Sequence, residues 1–259
     1  MRGGAVTYPI VADKWRDPTL HGPEQFLRGA RATGWDPGSI PAGAVFVFDH
    51  RLRTQVEKRA DAIEAPELAP GNARVFRIGP AIVSCLSPGA AAVVTQMQNL
   101  GYLGTRRFAV VGAAGSISED VRPGATVIPT AAVRDDGISQ HYLPPAHYAA
   151  PSPTLSERLR RLLPAALGGA TWTVPVPYRM TWRELDLHRA DGVVAVEMEA
   201  ASLFAVAESI GVEAAAVLVI SDQTTADGHV EDWEATTEPL LRALDAALSA
   251  VSDASPLAT

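Results

Sequence analysis

The sequence contains little cysteine, little lysine and no long hydrophobic run. Cys85 is the one cysteine among 259 residues, which excludes an intramolecular disulfide and a cysteine-based zinc site. Lysine occurs only at positions 14 and 58, no basic block is present and the formal net charge is -7, so the composition argues against a nucleic-acid partner. The longest apolar run, 214–220, is far shorter than the ~18 residues of a membrane span. We therefore expect a cytoplasmic protein that binds neither membranes nor nucleic acid.

With 47% hydrophobic residues, the chain has enough apolar side chains for a sizeable core. Short strand-like runs span 44–48, 73–79, 81–86, 107–115, 125–130, 171–178, 193–198 and 214–221. Segments of helical composition span 23–34, 52–63, 90–101, 152–163, 199–211 and 231–251. No Ser/Gly-rich linker divides them. The alternation predicts a single α/β domain over 1–259, with a mixed central β-sheet flanked by helices on both sides.

Local signals refine this expectation. Ser152 or Thr154 is expected to cap the helix over 152–163, and Gly211 to end the helix over 199–211. The proline-rich segment 142–153 predicts a long loop, and 252–259 a frayed tail.

Three segments carry residues suited to ligand chemistry. "GAAGS" (112–116) follows an apolar strand, and its small residues let a ligand approach the backbone. "VEMEAAS" (196–202) places two carboxylates where a strand meets a helix; buried carboxylates need hydrogen-bond donors, which a sugar's hydroxyl pair would supply. "ISD" (220–222) ends another apolar strand with an aspartate. One helix and one strand separate Glu199 from Asp222, so a βαβ unit would bring both to one sheet edge.

In this order and spacing, the three segments resemble the nucleoside phosphorylase superfamily. That superfamily includes purine nucleoside phosphorylases, uridine phosphorylases and methylthioadenosine/adenosylhomocysteine nucleosidases. The resemblance extends from about Val83 to the end of the chain and includes "SPGAAAVVTQMQNLG" (87–101) and "VRDDGISQHYLPP" (133–145). Residues 1–80 match poorly. The resemblance implies an enzyme that cleaves the N-glycosidic bond of a nucleoside.

The resemblance also implies roles for individual residues. Glu199 is similar to the carboxylate that holds the ribose 2′ and 3′ hydroxyls, and Met198 to the side chain packed beneath the sugar. Asp222 is similar to the acid that protonates a purine at N7, and because uridine-cleaving members usually lack it, a purine substrate is favoured. Tyr178 resembles the aromatic residue that stacks on the base.

Further residues are expected near the substrate for the same reason. The backbone at Ala113 and Ala114 is expected to line the nucleophile side, with Gly115 and Ser221 beside the substrate. His141, on the ligand loop of the resemblance, is expected to contact the sugar's 5′ end or a neighbouring subunit.

The sequence departs from the family where phosphate binds. Val110 stands where an arginine precedes the glycine turn, and Ala113 where a phosphate-binding Ser or Thr is common. The N-terminal strand leads into "DHRLRTQ" (49–55) rather than a glycine loop. A phosphate without charge-assisted donors is poorly held. The missing donors favour hydrolysis over phosphorolysis.

The sequence is compatible with either of two nucleophiles, water or inorganic phosphate. In hydrolysis, Asp49, His50 or Glu197 would orient the attacking water. In the alternative, Arg51 or Arg53 replaces the missing arginine through a shifted loop, and inorganic phosphate is the co-substrate.

A second alternative is a catalytically inactive nucleoside-binding or storage relative, which the retention of Glu199 with Asp222 disfavours. A dinucleotide-binding dehydrogenase is disfavoured, because that class carries a GxGxxG turn early in the chain and none is present here. No cofactor and no metal are expected, because no His and carboxylate cluster has metal-ligand spacing. The family resemblance implies a homo-oligomer, from dimer to hexamer.

Overall fold

The computed structural model describes residues 11–68 and 73–253. Within them the strands are β1 (Gly43–Val47), β2 (Ala62–Glu64), β3 (Arg74–Ile78), β4 (Ala81–Cys85), β5 (Arg107–Ser116), β6 (Thr126–Arg134), β7 (Tyr148–Ala149), β8 (Leu167–Thr173), β9 (Val193–Glu197), β10 (Glu213–Thr225) and β11 (Gly228–Glu231). The α-helices are α1 (Pro23–Ala32), α2 (His50–Lys58), α3 (Ala90–Leu103), α4 (Pro153–Leu162), α5 (Trp182–Ala190), α6 (Ala200–Ile210) and α7 (Thr237–Ser252). Strands and helices alternate, as expected for an α/β domain.

The strands form one mixed sheet. Its order is β11-β10-β6-β8-β9-β5-β1-β4-β3-β2, with β7 beside β6. β5 also pairs with β10, so β10, β6, β8, β9 and β5 form a closed ring from which the other strands extend. β5 runs parallel to β1 and β10 but antiparallel to β9. The prediction of a single α/β domain with a mixed sheet is confirmed.

Helices cover the sheet on both faces, as alternate residues of β1 illustrate. Ala44 and Phe46 pack in one core with α3 and α6, whereas Val45 and Val47 pack in another with α2, α4 and α7. Every residue of β1 is buried, which explains why the strand is apolar at each position instead of alternating. The predicted flanking helices are therefore confirmed.

The most apolar helix, α6, belongs to the core. It is buried from Ala200 to Ala207 and ends at Gly211, whose left-handed φ of 69° is the expected helix C-cap. Across the described residues, no helix has both the length and the apolar character needed to cross a membrane.

Several predicted boundaries were wrong for identifiable reasons. The strand predicted over 171–178 ends at Thr173, before two prolines that cannot donate ladder hydrogen bonds. The helix predicted over 231–251 begins at Thr237, because 228–231 pairs with β10 as β11. The helix predicted over 52–63 ends at Lys58, and α5 was not predicted.

Two smaller expectations also changed. Ser152 occupies the N-cap position of α4, but its hydroxyl accepts from the Ala214 N–H at 2.8 Å instead of capping the helix. Within 142–153 the chain is a loop apart from the two residues of β7 and Pro153, with which α4 begins. α7 continues to Ser252, and the rest of the predicted tail after 253 lies outside the described residues.

The topology brings three strand ends together. Gly115 on β5 lies opposite Asp222 on β10 and opposite Val196 on β9. The pairing of β5 with β10 shifts register between Ile220 and Asp222, so Ser221 has no partner in that ladder. Such a bulge re-aims the neighbouring side chains. The sheet thereby places Asp222 beside the glycine turn and the β9–α6 junction.

Candidate active site

Glu197 holds the junction between β9 and α6. Its carboxylate accepts hydrogen bonds from the backbone N–H groups of Glu199 and Ala200, at 2.7 and 2.6 Å. It also accepts from the Thr173 hydroxyl at 2.5 Å. The backbone donors belong to the start of α6, where N–H groups have no partner within the helix. Both oxygens of Glu197 are thus engaged by the protein itself.

Glu199 is in a different situation, although it is equally buried. Its Oε1 accepts from the Gly89 N–H at 2.5 Å, where α3 begins, and the side chain lines a cavity. Burial and the nearby charge of Glu197 raise the pKa of Glu199. Burial also raises the pKa of Glu197, against the opposing effect of the hydrogen bonds that it accepts. Hydroxyl donors from a ligand would stabilise the ionised form of Glu199.

Asp222 is positioned by its neighbours on β10 and β5. The Ser221 hydroxyl donates to Oδ1 of Asp222 at 2.7 Å. On the other side, a Cβ at Gly115 would lie only 2.9 Å from Oδ2 of Asp222 and 3.2 Å from a methyl of Val196. Position 115 therefore needs glycine for space, and the glycine leaves Oδ2 open to the cavity side of the turn.

These residues face a cavity of about 330 Å³, which we name the acidic cavity. It is lined by Phe48, Asp49, Pro88, Ala113, Ala114, Gly115, Val174, Pro177, Met180, Val196, Glu197, Met198, Glu199, Ser221, Asp222 and Trp233. Its charged side chains are four carboxylates, and no basic residue is among these described lining residues. The volume is within the range of small-molecule sites. Such a lining suits a neutral ligand with hydroxyl groups better than an anion.

Arg51 lies near this cavity, and its guanidinium is held by other groups of the protein. Its guanidinium pairs with Asp49 at 2.6 Å and donates to the Trp233 carbonyl at 2.8 Å. Asp49 also caps α2, accepting from the Arg51 N–H at 2.7 Å. Partial burial opposes ionisation of Asp49, but the hydrogen bonds and charge of Arg51 outweigh it and lower the pKa. Asp49 is therefore a carboxylate whose charge Arg51 compensates.

A second cavity, which we name the basic cavity, adjoins the acidic cavity. The two share Phe48 and Pro88 in their linings. Three side chains that can be cationic line the basic cavity: His50, Arg53 and Arg74. Arg53 pairs with Glu57 at 3.1 Å, and Arg74 with Glu57 and Glu64. The cations absent from the acidic cavity are thus gathered next to it.

Most of the residues singled out in the sequence come together. The acidic cavity contains Asp49, Ala113, Ala114, Gly115, Glu197, Met198, Glu199, Ser221 and Asp222.

Five others lie elsewhere. Tyr178 is 98% exposed, and His141 lies in a 3₁₀ turn (Ser139–His141); neither lines the acidic cavity. His50 and Arg53 line the basic cavity, and Arg51 lines neither.

Sequence reasoning missed the apolar walls. Phe48 and Pro88 separate the two cavities, while Met180, Pro177 and Trp233 close the acidic cavity from loops. Pro88 stands inside "SPGAAA", a segment that the resemblance had already singled out. No feature of the sequence pointed to Trp233 as a lining residue, because it follows β11, a short strand that the sequence pattern did not predict.

Within the described residues, no group of three or more His, Cys, Asp and Glu side chains is arranged to hold a metal ion. The carboxylates of the acidic cavity are partnered by backbone N–H groups, hydroxyls and Arg51.

The sequence also matches a known protein family. The model of the phosphorylase superfamily matches residues 41–252, which is most of the chain. The chain belongs to the phosphorylase superfamily. It is thus an enzyme of the group that cleaves N-glycosidic bonds of nucleosides. The match begins at residue 41, so it includes part of the segment that the sequence reading found divergent.

Several curated members of the superfamily are similar to this chain. A uridine phosphorylase of Treponema pallidum is 29% identical over 68% of this chain and 76% of its own length. A guanosine phosphorylase of Halorubrum lacusprofundi is 26% identical over 76% of this chain and 89% of its own length. A purine nucleoside phosphorylase, DeoD-type 1, of Aliivibrio fischeri is 29% identical over 62% of this chain and 70% of its own length. The names of these relatives include both purine and pyrimidine nucleosides.

Proposed function

We propose that this superfamily member cleaves purine nucleosides, with inorganic phosphate as the nucleophile. The observation that carries the proposal is that Glu199 and Asp222, from two different strand ends, line one cavity beside the glycine turn. One carboxylate is available for the sugar and the other for the base. The glycosidic bond would lie between them.

Glu199 would bind the ribose diol. One of its oxygens is fixed by Gly89, which orients the carboxylate without using all of its acceptor capacity. Hydrogen bonds to the 2-hydroxyl that strengthen as the sugar becomes oxocarbenium-like accelerate glycosidic cleavage. Because burial raises the pKa of Glu199, the hydroxyl donors of the sugar would favour its ionised form when the substrate binds.

Asp222 would act as the general acid for the leaving base. An anionic purine is a poor leaving group, and a positioned acid contributes about 10²- to 10⁴-fold in rate. Ser221 holds Oδ1, and the absence of a side chain at Gly115 leaves space for a ring beside Oδ2. A purine with N7 toward Asp222 would receive the proton there.

Two observations support phosphate as the nucleophile. The named relatives are phosphorylases, and the basic cavity places His50, Arg53 and Arg74 next to the acidic cavity. A phosphate held at the boundary formed by Phe48 and Pro88 would meet these cations rather than the carboxylates. Arg53 would then perform the role considered for it in the sequence, whereas Arg51 stays paired with Asp49.

Hydrolysis is the second candidate, and one observation favours it. The acidic cavity carries four carboxylates and, among its described lining residues, no cation. Asp49 lines it and would orient a water molecule for attack on the sugar. In this case the basic cavity would have no part in the chemistry.

The sugar product distinguishes the two. Adenosine, inosine and uridine are incubated with the protein in phosphate-free buffer and at saturating phosphate. Ribose 1-phosphate formed only with phosphate is the expected result; free ribose formed equally in both buffers would establish hydrolysis instead. Preference for uridine would refute the purine assignment.

We also propose that the protein is a homo-oligomer. Large apolar side chains are exposed on several elements, including Phe26 on α1 and Tyr102 on α3, at 59% and 48%. Such side chains are common where copies of a chain meet. Sedimentation at micromolar concentration should give a mass of at least two chains, and a monomer would contradict the proposal.

A further inference from the structure

A third cavity adjoins the acidic cavity at Asp222. It has a volume of about 480 Å³, and we name it the Trp182 cavity. The two cavities share Pro177, Met180, Val196 and Asp222. A ligand group that extends past Asp222 would therefore enter the Trp182 cavity directly from the acidic cavity.

Much of the wall of this cavity is apolar and firmly held. Trp172 is 1% exposed, and its indole N–H donates to Asp135 at 3.0 Å. Ile117 and Leu185 are also buried there. These side chains are packed before any ligand arrives, so the wall has little freedom left to lose on binding.

The mouth of the cavity is aromatic and open. Trp182 begins α5 and is 60% exposed, and Met180 before it is 42% exposed. Both line the cavity. An exposed indole gains by stacking with a second ring, and a thioether makes favourable contacts with aromatic edges. The mouth is suited to an aromatic group.

The polar groups of the described residues that line the Trp182 cavity offer no ion-pair partner for an anionic ligand. The hydroxyl of Thr224 and Nδ1 of His229 are hydrogen-bonded to each other at 2.9 Å. Asp222, on the shared boundary, is the one carboxylate among the described lining residues. An anionic group would be repelled by Asp222, and a cation would lose its hydration against the apolar wall of Ile117, Trp172 and Leu185, so a neutral occupant is favoured.

We propose that the Trp182 cavity is a subsite for an aromatic or other apolar substituent on the base. The proposal rests on the proposed function, in which Asp222 meets N7 of a purine. The exocyclic group at C6 lies on the same edge of the ring as N7 and would point past Asp222 into the Trp182 cavity. The preferred substrates are then purine nucleosides that carry a bulky substituent at C6.

The test compares adenosine with N6-benzyladenosine. The wild-type protein should cleave N6-benzyladenosine with a kcat/KM at least equal to that for adenosine. Trp182→Ala should lower kcat/KM for N6-benzyladenosine by about tenfold, because it removes one contact between aromatic rings. The kcat/KM for adenosine should change by no more than about twofold. Thr224→Trp places a large side chain in the cavity. It should lower kcat/KM for N6-benzyladenosine by more than Trp182→Ala does. Leu187→Ala is the control: Leu187 is on the same helix, is 57% exposed and lines neither cavity. Its replacement should leave kcat/KM for both substrates unchanged.

Two outcomes would overturn the subsite: a wild-type protein that cleaves adenosine but discriminates strongly against the benzyl group, or variants that affect both substrates equally. If neither adenosine nor inosine is cleaved, the proposed function fails; in that case, and also if inosine alone is cleaved, calorimetry with the free bases decides the subsite. N6-benzyladenine should bind more tightly than adenine, and Trp182→Ala should remove the difference. Equal or weaker binding of the benzyl base would overturn the subsite independently of catalysis.

Discussion

The acidic and basic cavities lie side by side and differ in the sign of their charge. The acidic cavity is built at the ends of β5, β9 and β10, and its carboxylates are fixed by backbone N–H groups and by Ser221. The basic cavity lies near α2, β3 and α3, and its arginines are paired with glutamates at the surface. Under the proposed function, the fixed carboxylates would bind the neutral nucleoside and the arginines of the basic cavity would bind the anion.

The largest effect is expected from Asp222→Asn. An amide in place of the acid should lower kcat/KM for adenosine by about 10²- to 10⁴-fold, because the base would leave without protonation. Cleavage rates are measured with adenosine and with 7-methylguanosine. The 7-methylated base already carries a positive charge and leaves as a neutral molecule, so the variant should cleave it almost as fast as the wild type. Equal losses for both substrates would remove the general-acid role and leave Asp222 a structural residue.

Glu199→Gln should have the next largest effect. The amide keeps an acceptor for Gly89 but cannot accept two charge-assisted hydrogen bonds from the ribose hydroxyls, so we expect a loss of about 10²-fold in kcat/KM. The same variant is measured with 2′-deoxyadenosine, which lacks one of the hydroxyls. The loss should be smaller for the deoxy substrate, since one of the two contacts is already absent. A loss independent of the 2′ hydroxyl would contradict the assignment of Glu199 to the sugar.

How far the sequence predicts this site depends on where each residue lies. Glu199 and Asp222 stand at the ends of continuous apolar strands, and such strand ends meet at one edge of an α/β sheet. Their shared cavity was therefore predictable. The contacts that distinguish Glu197 from Glu199 were not, because they come from Thr173 and Gly89, which are distant in the sequence.

The loops were harder to predict than the strands. α5 had a local signal that the sequence reading did not use: Thr181 and Glu184 form a capping box, with the Glu184 carboxylate accepting from the Thr181 N–H at 2.8 Å. Trp182 and Met180 have no periodic pattern, and only the fold shows that they stand beside Asp222. Phe48 follows β1 directly, and only the pairing of β1 with β4 and β5 places it between the two cavities.

A smaller effect is expected on the basic side, from Arg53→Ala. Loss of one charge-assisted contact should raise the KM for phosphate by about tenfold and leave the KM for the nucleoside unchanged. Steady-state rates are measured at varied phosphate, with Arg161→Ala as the control because that arginine is also paired with a glutamate four residues away. An unchanged KM for phosphate would mean that phosphate binds outside the basic cavity, whereas a cleavage rate that does not depend on phosphate would favour hydrolysis in the acidic cavity.

The smallest expected effect concerns stability and pH on the acidic side. Burial and Glu197 raise the pKa of Glu199 above its usual value of 4.5, so ionisation of this group opposes the folded state. In the unfolded chain the group ionises near pH 4.5, and the wild-type protein therefore loses stability relative to Glu199→Gln as the pH rises from there toward the folded-state pKa. The Tm of the variant minus that of the wild type should increase by about 2 °C or more between pH 5 and pH 8.

Glu208→Gln provides the matched control for this measurement. Glu208 lies on the same helix, α6, and is exposed, so its replacement removes one negative charge without relieving a buried one. Glu208→Gln thus measures what the loss of an exposed negative charge does to the Tm at each pH, and the pH-dependent increase for Glu199→Gln should exceed it. An increase for Glu199→Gln no larger than that of the control would mean that solvent or a permanent donor already stabilises the ionised form of Glu199. The site would then gain little from the hydroxyls of a sugar, and the contrast between Glu199 and its partner Glu197 would lose its physical basis.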